Sequence, residues 1–212
     1  MTDPTEFIKT TTAPQFPPLV PEIRLHLANE IVPLWRKTEE ELAQEGVPPP
    51  YWAFAWAGGQ ALARYILDTG LNVASVLDFG AGSGLVAIAA AKAGAAQVLA
   101  AEIDPFAAAA IALNAASNGV QVEVTQEDVI GRAGGWQAIL IGDMCYERPL
   151  AERLMAWLTD RARAGAMVLM GDPGRTYFPK SGVEKLATYN VQTTRELEDR
   201  EIRETSVYRL SV

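Results

Sequence analysis

Apolar and polar residues follow each other along the middle of this chain in blocks that predict strands and helices in turn. Short apolar runs rich in β-branched residues, such as residues 73–79, have the length and composition of buried parallel strands. Alanine-rich segments between them have the length of helices. Strands are expected at residues 73–79, 97–101, 120–125, 137–142 and 166–170. Helices are expected at residues 59–68, 85–93, 106–117 and 149–163.

This alternation predicts an α/β fold with a Rossmann-like, doubly wound parallel sheet and right-handed crossovers. The tail of the chain differs, because residues 186–195 and 202–211 alternate like two antiparallel strands. Together with the five strands before it, this C-terminal antiparallel hairpin gives a seven-stranded sheet.

The first fifty residues differ in composition from the rest. Residues 1–20 are rich in Thr and Pro, lack apolar periodicity and are expected to be loosely ordered. Residues 21–45 carry a helical pattern that is broken at Pro33. The sequence therefore predicts an N-terminal extension with short helices, residues 1–50, followed by the main domain, residues 51–212.

A glycine-rich loop directly follows the first strand of the predicted sheet. Gly80, Gly82 and Gly84 come before a run of helix formers that begins at Leu85. A strand, a glycine loop and a helix bring a ligand against bare backbone at a helix N-terminus. A dinucleotide fingerprint would need glycine at position 85, and Asp78 ahead of the loop would repel a pyrophosphate but suit a cationic ligand.

An acid, Glu102, closes the predicted strand at residues 97–101. A carboxylate in this place can accept hydrogen bonds from both hydroxyls of a ribose, and a solvated strand end is the alternative. The next acid, Asp104, is expected to be structural, because it precedes Pro105 as an N-cap precedes the first helical residue.

The pattern D-x-G-x-G-x-G over residues 78–84 resembles motif I of the class I S-adenosylmethionine-dependent methyltransferases. The resemblance implies the seven-stranded methyltransferase sheet, a methyltransferase domain over residues 51–212, and S-adenosylmethionine as the cofactor. It implies that Asp128 takes the adenine amino group while the neighbouring amide, at Val129, reads a ring nitrogen. A loop acid without a ligand is the alternative for Asp128. The implied cofactor-binding residues are Asp78, Gly80, Gly82, Gly84, Glu102, Asp128 and Val129.

The fourth strand ends in Asp143-Met-Cys-Tyr146, on the side of the sheet where ligands bind. Asp143 is expected on an exposed loop, where it serves the cofactor, the acceptor or both. Asp-x-x-Tyr in this place resembles the acceptor motif of the seven-stranded protein lysine methyltransferases, which implies that Asp143 and Tyr146 hold the lysine. The alternatives are a helix N-cap for Asp143 and core packing for Tyr146.

Two further segments supply candidate residues. Four aromatic residues lie within residues 51–56, and Trp56 is expected to contact the cofactor because it adjoins Gly58 and Gly59; core packing is the alternative. Arg175 ends a turn after the fifth strand and is expected to bind an acidic stretch of the substrate. A structural ion pair is the alternative for Arg175.

Three motifs together resemble the electron transfer flavoprotein beta-subunit lysine methyltransferases, in particular a bacterial member: YWAFAWxGG, GDMxY and GDPGR. The family has Pro where this chain has Ala57. The resemblance implies methyl transfer to lysine ε-amines of that flavoprotein subunit, with a ribosomal protein as a further substrate. A small-molecule amine methyltransferase of the same fold and a non-catalytic cofactor-binding module stay open as alternatives.

The totals narrow the class of protein further. Among 212 residues, 18 Lys and Arg against 26 Asp and Glu give a formal charge of −8, which argues against a nucleic-acid-binding protein. The only cysteine, Cys145, excludes an internal disulfide and is expected to be a packing residue. The only histidine, His26, is expected in a helical stretch and cannot form a metal cluster.

The sequence carries no signal or membrane-spanning pattern and predicts a cytoplasmic monomer without a metal, a nucleic acid or a membrane as partner.

Overall fold

The computed structural model of the chain describes residues 3–28, 49–193 and 201–212. The helices α1 to α5 are Pro4–Thr11, Ala57–Thr69, Leu85–Lys92, Pro105–Ser117 and Arg148–Arg163. A short 3-10 helix, Tyr51–Ala53, precedes α2. The strands β1 to β9 are Ala13–Gln15, Leu25–Leu27, Ser75–Phe79, Gln97–Ala101, Glu123–Thr125, Ala138–Gly142, Met167–Asp172, Val183–Gln192 and Ile202–Leu210.

Seven strands form one mixed sheet in the order β5-β4-β3-β6-β7-β9-β8. The first five of these positions are parallel, and β9 pairs antiparallel with both β7 and β8. The predicted fold class, a doubly wound sheet with a C-terminal antiparallel hairpin, is confirmed. The chain turns back at β3, from which it winds first towards β5 and then towards β8, and this reversal opens a crevice at the carboxyl ends of β3 and β6.

The sheet is buried on both faces, which explains why its central strands are continuously apolar rather than alternating. On β3, Val76 belongs to a core cluster that includes α2 and α3, whereas Leu77 belongs to a second cluster that includes α5. The two clusters hold the strand ends in fixed positions, so loops that leave those ends carry their side chains into a defined place.

The N-terminal segment departs from its prediction. Residues 3–20 are not loosely ordered, because Ile8 of α1 is fully buried against Phe106 of α4 and Trp52. The missed signal is the amphipathic turn of α1, which Asp3 caps by accepting a hydrogen bond from the Thr5 N–H at 3.1 Å.

The predicted helix from residue 21 is also wrong in its described part. His26 lies on strand β2, where its backbone N–H donates to Asn114 Oδ1 at 2.8 Å. This contact with the buried Asn114 of α4 favours an extended backbone at His26 over the helix that the pattern predicts. Residues 29–45 of that prediction lie outside the described residues. The domain boundary at residue 50 stays a proposal.

The other elements differ from their predicted bounds by a few residues. The strand β5 is shorter than predicted because it pairs with β4 only from Glu123 to Thr125. The strand β8 begins earlier than the alternating pattern, since Val183 already pairs with Leu210 of β9. Residues 194 and 195 of the predicted hairpin lie outside the described residues. In the part of the chain that the structure describes, no helix is long and apolar enough to cross a bilayer.

Candidate active site

A cavity of about 610 Å³ opens at the crevice where the chain reverses its winding. Its wall includes Gly80 and Gly82 after β3, Glu102 after β4, and Asp143 after β6. This is the place where open parallel sheets bind ligands, and the volume falls within the roughly 300–1,000 Å³ of small-molecule sites. The sheet therefore gathers residues from several distant segments around one cavity.

Glycine is required in the loop that forms the floor of the cavity. Gly80 and Gly82 have φ values of 63° and 51°, which side chains rarely adopt. A Cβ on Gly80 would lie 2.4 Å from the sulfur of Met144. A Cβ on Gly82 would have only the Cα of Trp52 in reach, at 4.0 Å. Bare backbone at Gly82 thus faces open space in the cavity.

Glu102 ties this loop to the end of β4. One carboxylate oxygen accepts a hydrogen bond from the Gly82 N–H at 3.0 Å, and the other accepts one from the Asp104 N–H at 3.2 Å. Each oxygen keeps lone pairs for a further donor. The side chain is therefore fixed by main-chain contacts while it lines the cavity.

Asp104 also acts as predicted, because its side chain caps α4 by accepting from the Phe106 N–H at 2.8 Å. Burial raises the pKa of its carboxyl to about 6. Asp104 lies at the edge of the same cavity.

Asp78 and Gly84 support the loop without lining the cavity. The carboxyl of Asp78 is 1% exposed and accepts a hydrogen bond from the Ala87 N–H of α3 at 2.8 Å. Burial raises its pKa to about 8, and the charge of Glu102 adds to the rise. A carboxyl that is neutral near pH 7 does not attract a cation. The structure does not bring either residue into the cavity, and their direct contact with a cofactor stays a sequence-based prediction.

Asp128 and Val129 border the end of the cavity below β5. The Asp128 carboxylate accepts a hydrogen bond from the Ile130 N–H at 3.0 Å and pairs with Arg153 of α5. Partial burial acts to raise the pKa of Asp128, but the hydrogen bonds from Ile130 and Arg153 outweigh it and leave the pKa lowered. Asp128 therefore stays ionised.

Asp143 is buried, not exposed as predicted from its place at a strand end. It is 9% exposed, and one carboxylate oxygen accepts the Gly59 N–H of α2 at 3.0 Å. The other accepts two hydrogen bonds from Arg175, at 2.7 Å and 3.1 Å. Its φ of 60° is the only positive value at a non-glycine residue in the described ranges. These partners hold Asp143 in a backbone conformation that residues other than glycine adopt uncommonly.

Arg175 forms the ion pair that was the alternative in the sequence analysis. Besides Asp143, its guanidinium lies over the ring of Trp56, 5.8 Å from the centroid. Its backbone N–H donates to Asp172 at 2.7 Å. A role in docking an acidic stretch of a substrate therefore has to compete with these contacts inside the molecule.

The backbone beneath this network is unusually close. A Cβ on Gly58 would lie 2.2 Å from the carbonyl oxygen of Gly171, and a Cβ on Gly171 would lie 2.1 Å from that of Gly58. The two glycines let the start of α2 touch the end of β7. This contact places the Gly59 N–H within reach of Asp143.

Tyr146 lines the cavity near its mouth and is 43% exposed. Its ring lies 6.2 Å from that of Tyr51. Burial raises the pKa of the Tyr146 hydroxyl, with smaller contributions from Glu147, Tyr51 and Glu102. Its chain neighbour Cys145 is buried as predicted, and burial raises the pKa of the thiol to about 12, which makes it a packing residue.

Several lining residues were missed by the sequence analysis: Tyr51, Trp52, Ile103, Met144, Leu150 and Arg153. The aromatic run at residues 51–56 was a signal for Tyr51. Arg153 carried none, because helix α5 brings it to Asp128 from 25 positions away. No group of His, Cys, Asp and Glu that could hold a metal ion occurs among the residues described.

Comparison with known proteins assigns the chain to a family. A curated relative from Xenopus laevis, the electron transfer flavoprotein beta subunit lysine methyltransferase, is 40% identical over 98% of this chain and 87% of its own length. The chain belongs to this lysine methyltransferase family. The relative of the same name from Danio rerio is 41% identical over 79% of this chain and 66% of its own length. A family model for the ribosomal protein L11 methyltransferase (PrmA) matches residues 60–138.

Solved structures agree on the fold of this lysine methyltransferase family member. The magnesium protoporphyrin IX methyltransferase of Synechocystis PCC 6803, with bound S-adenosylhomocysteine, superposes with a TM-score of 0.52 at 16% identity. The match covers 84% of this chain and 91% of that one. The relatives from Xenopus laevis and Danio rerio confirm the predicted family and enzyme class. The S-adenosylhomocysteine bound in the solved structure of the same fold agrees with the predicted methyl donor, S-adenosylmethionine.

Proposed function

We propose that this enzyme transfers methyl groups from S-adenosylmethionine to lysine ε-amines of the electron transfer flavoprotein beta subunit. The relative from Xenopus laevis carries this substrate in its name and matches almost the whole chain. The observation that carries the proposal is one continuous cavity that joins the glycine loop to Asp143 and Tyr146. Direct transfer requires donor and acceptor to be aligned in such a space, away from water.

The donor end of the cavity is assigned to Gly80, Gly82 and Glu102. The bare backbone at Gly82 leaves room that a side chain would fill, and Glu102 presents oxygens with free lone pairs. Both features fit the methionine and ribose parts of the cofactor. When bound, S-adenosylmethionine would supply a methyl group on its sulfonium; the amine nitrogen would bond to that methyl carbon while the S–CH3 bond breaks and the sulfur leaves as the thioether of S-adenosylhomocysteine. Asp128 and Val129 are assigned to the adenine. Trp56, from the aromatic run at residues 51–56, is assigned to a contact with the cofactor.

The acceptor end is assigned to Asp143 and Tyr146. A lysine with a pKa near 10.4 must lose its proton, which costs about 4 kcal/mol at pH 7.5. The mainly apolar lining of the cavity lowers this cost by disfavouring the ammonium. Asp143 already accepts hydrogen bonds from Gly59 and Arg175, so it orients the acceptor rather than serving as a strong base.

A purified flavoprotein beta subunit, incubated with the enzyme and labelled methyl donor, tests this substrate. Label on the subunit, localised to lysine by mass spectrometry, is the expected result. Ribosomal protein L11 belongs in the same assay because of the family-model match at residues 60–138. That match ends before Asp143 and covers the donor end, so we expect L11 to be the poorer acceptor. Label only in the small-molecule fraction of a lysate would instead favour a small-molecule amine as the acceptor.

We also propose, first, that the enzyme is a monomer and, second, that it works in the cytoplasm, without nucleic acid as a partner. Light scattering on the purified protein tests the first statement, and cell fractionation tests the second. A stable dimer would show that the acceptor mouth has to be considered together with a second copy.

A further inference from the structure

Two tyrosines that come from distant parts of the chain stand together at the mouth of the cavity. Tyr51 is 48% exposed and Tyr146 is 43% exposed, and both line the cavity. Their ring centroids are 6.2 Å apart, with the planes tilted by 44°. We call Tyr51 and Tyr146 the tyrosine pair. Large exposed aromatic residues that meet at a cavity mouth mark a binding surface.

The position of Tyr51 is built into the fold. Its carbonyl oxygen accepts a hydrogen bond from the indole N–H of Trp56 at 2.8 Å, and the two rings lie 6.1 Å apart. The next residue, Trp52, is 1% exposed and anchors the short 3-10 helix in the core. Tyr51 is therefore held at the mouth by contacts on both sides.

The charges around the pair favour a cation. Glu147 directly follows Tyr146 in the chain, and Glu102 lines the same cavity. Burial raises the pKa of the Tyr146 hydroxyl, and the charges of Glu147 and Glu102 add to the rise. Arg175 lies over Trp56 and is paired with Asp143, so this arginine already occupies one aromatic surface of the site.

We propose that Tyr51 is a specificity-determining residue, which together with Tyr146 binds the charged, methylated form of the acceptor lysine at the cavity mouth. Aromatic faces attract alkylammonium groups, which shed their water more easily than an unmethylated ammonium. The pair thus retains a partly methylated side chain near the donor between transfers. This inference rests on the proposed function, because it assumes a lysine ε-amine as the acceptor.

Binding of a single amino acid tests the inference without a protein substrate. The probe is N-acetyl-trimethyllysine amide, titrated into the full-length enzyme saturated with S-adenosylhomocysteine. We expect Tyr51→Ala to weaken binding of the probe by about five-fold or more relative to the wild type. The affinity of Tyr51→Phe should stay within about two-fold of the wild type, because a phenyl face retains the cation–π attraction. The neutral analogue N-acetyl-norleucine amide should bind more weakly than the probe to the wild type.

The matched control is Tyr177→Ala. Tyr177 is 37% exposed and lies under the guanidinium of Arg148, outside the cavity lining. This variant should bind the probe as the wild type does, and every variant should bind S-adenosylhomocysteine normally.

Three results would overturn the inference: no binding of the probe to the wild type, equal binding by wild type and Tyr51→Ala, or norleucine binding as tightly as trimethyllysine. The proposed substrate fails separately, when the flavoprotein subunit is not methylated although the probe binds through Tyr51.

Discussion

The proposed donor end and the proposed acceptor end of the cavity are built in different ways. At the donor end, Glu102 is fixed by main-chain N–H groups of neighbouring loops, at 3.0 Å and 3.2 Å. At the acceptor end, Asp143 is fixed by the start of α2 and by the side chain of Arg175, which lies 32 positions away. The donor end therefore depends on local backbone geometry, whereas the acceptor end depends on several segments that pack correctly at once. Changes at the acceptor end should be costly to the whole fold.

The largest effect is expected where α2 touches β7. Gly58→Ala places a methyl group 2.2 Å from the carbonyl oxygen of Gly171, and neither backbone can move freely. We expect a loss of about 3 kcal/mol or more in the free energy of unfolding, measured by urea denaturation. The matched control is Gly59→Ala, whose Cβ would have its nearest neighbours at 4.0 Å. A control as unstable as Gly58→Ala would show that the close approach is not the cause.

The second effect concerns Asp143. Asp143→Ala leaves the Arg175 guanidinium and the Gly59 N–H without their acceptor, and it should cost about 2–3 kcal/mol of stability. Methyl transfer should fall by about 100-fold or more, because the acceptor is no longer aligned. Asp143→Asn keeps one acceptor oxygen and tolerates the positive φ, so it should be more stable than the Ala variant. Urea denaturation and single-turnover transfer measure the two effects. A fully active Asp143→Ala enzyme would contradict the acceptor assignment.

The third prediction uses the pH dependence of stability behind the donor end. Burial raises the pKa of Asp78 to about 8 in the folded protein, whereas the unfolded chain ionises near 3.9. Between these values the unfolded state binds fewer protons at Asp78, so the contribution of Asp78 to the free energy of unfolding falls as the pH rises. Asp78→Asn removes this titration. The free energy of unfolding of the variant, relative to that of the wild type, should therefore rise by about 1 kcal/mol between pH 6 and pH 7.

The control for this pH effect is Asp160→Asn, because Asp160 has a 68% exposed side chain. Its stability should follow the pH dependence of the wild type. A constant difference between Asp78→Asn and the wild type across this pH range would mean that Asp78 is ionised in the fold.

The surroundings of the residues at the proposed donor end could be predicted from the sequence better than those at the proposed acceptor end, for a physical reason. Gly80, Gly82 and Glu102 follow from strand ends that belong to one strand–loop–helix–strand unit, where order along the chain fixes position in space. The burial of Asp78 could not be predicted, because it depends on helix α3 folding over the strand. The ion pair between Asp143 and Arg175 depends on β6 and β7 lying side by side in register.

The same reasoning applies to the N-terminal segment. The burial of Ile8 depends on a partner, Phe106, almost a hundred positions further along the chain. Composition alone therefore predicted a loosely ordered segment. The parallel, doubly wound arrangement of the first five strands, in contrast, followed from the alternation of short strands and helices.

The smallest effect is expected at Tyr146. Tyr146→Phe keeps the ring at the cavity mouth and should change methyl transfer by no more than about two-fold, whereas Tyr146→Ala removes an aromatic wall and should reduce it by about ten-fold. Steady-state kinetics with the flavoprotein subunit measures the difference. Equal losses in both variants would assign the role to the hydroxyl instead of the ring.

The most direct test of separate donor and acceptor ends is a calorimetric titration of S-adenosylhomocysteine into Glu102→Ala and Tyr146→Ala. Removing the Glu102 carboxylate takes away a charged hydrogen-bond acceptor at the donor end, which should cost about 1.5–3 kcal/mol of binding free energy. Tyr146→Ala should bind the ligand within about two-fold of the wild type. Undiminished affinity in Glu102→Ala, or an equal loss in Tyr146→Ala, would contradict the division of the cavity into a donor end and an acceptor end.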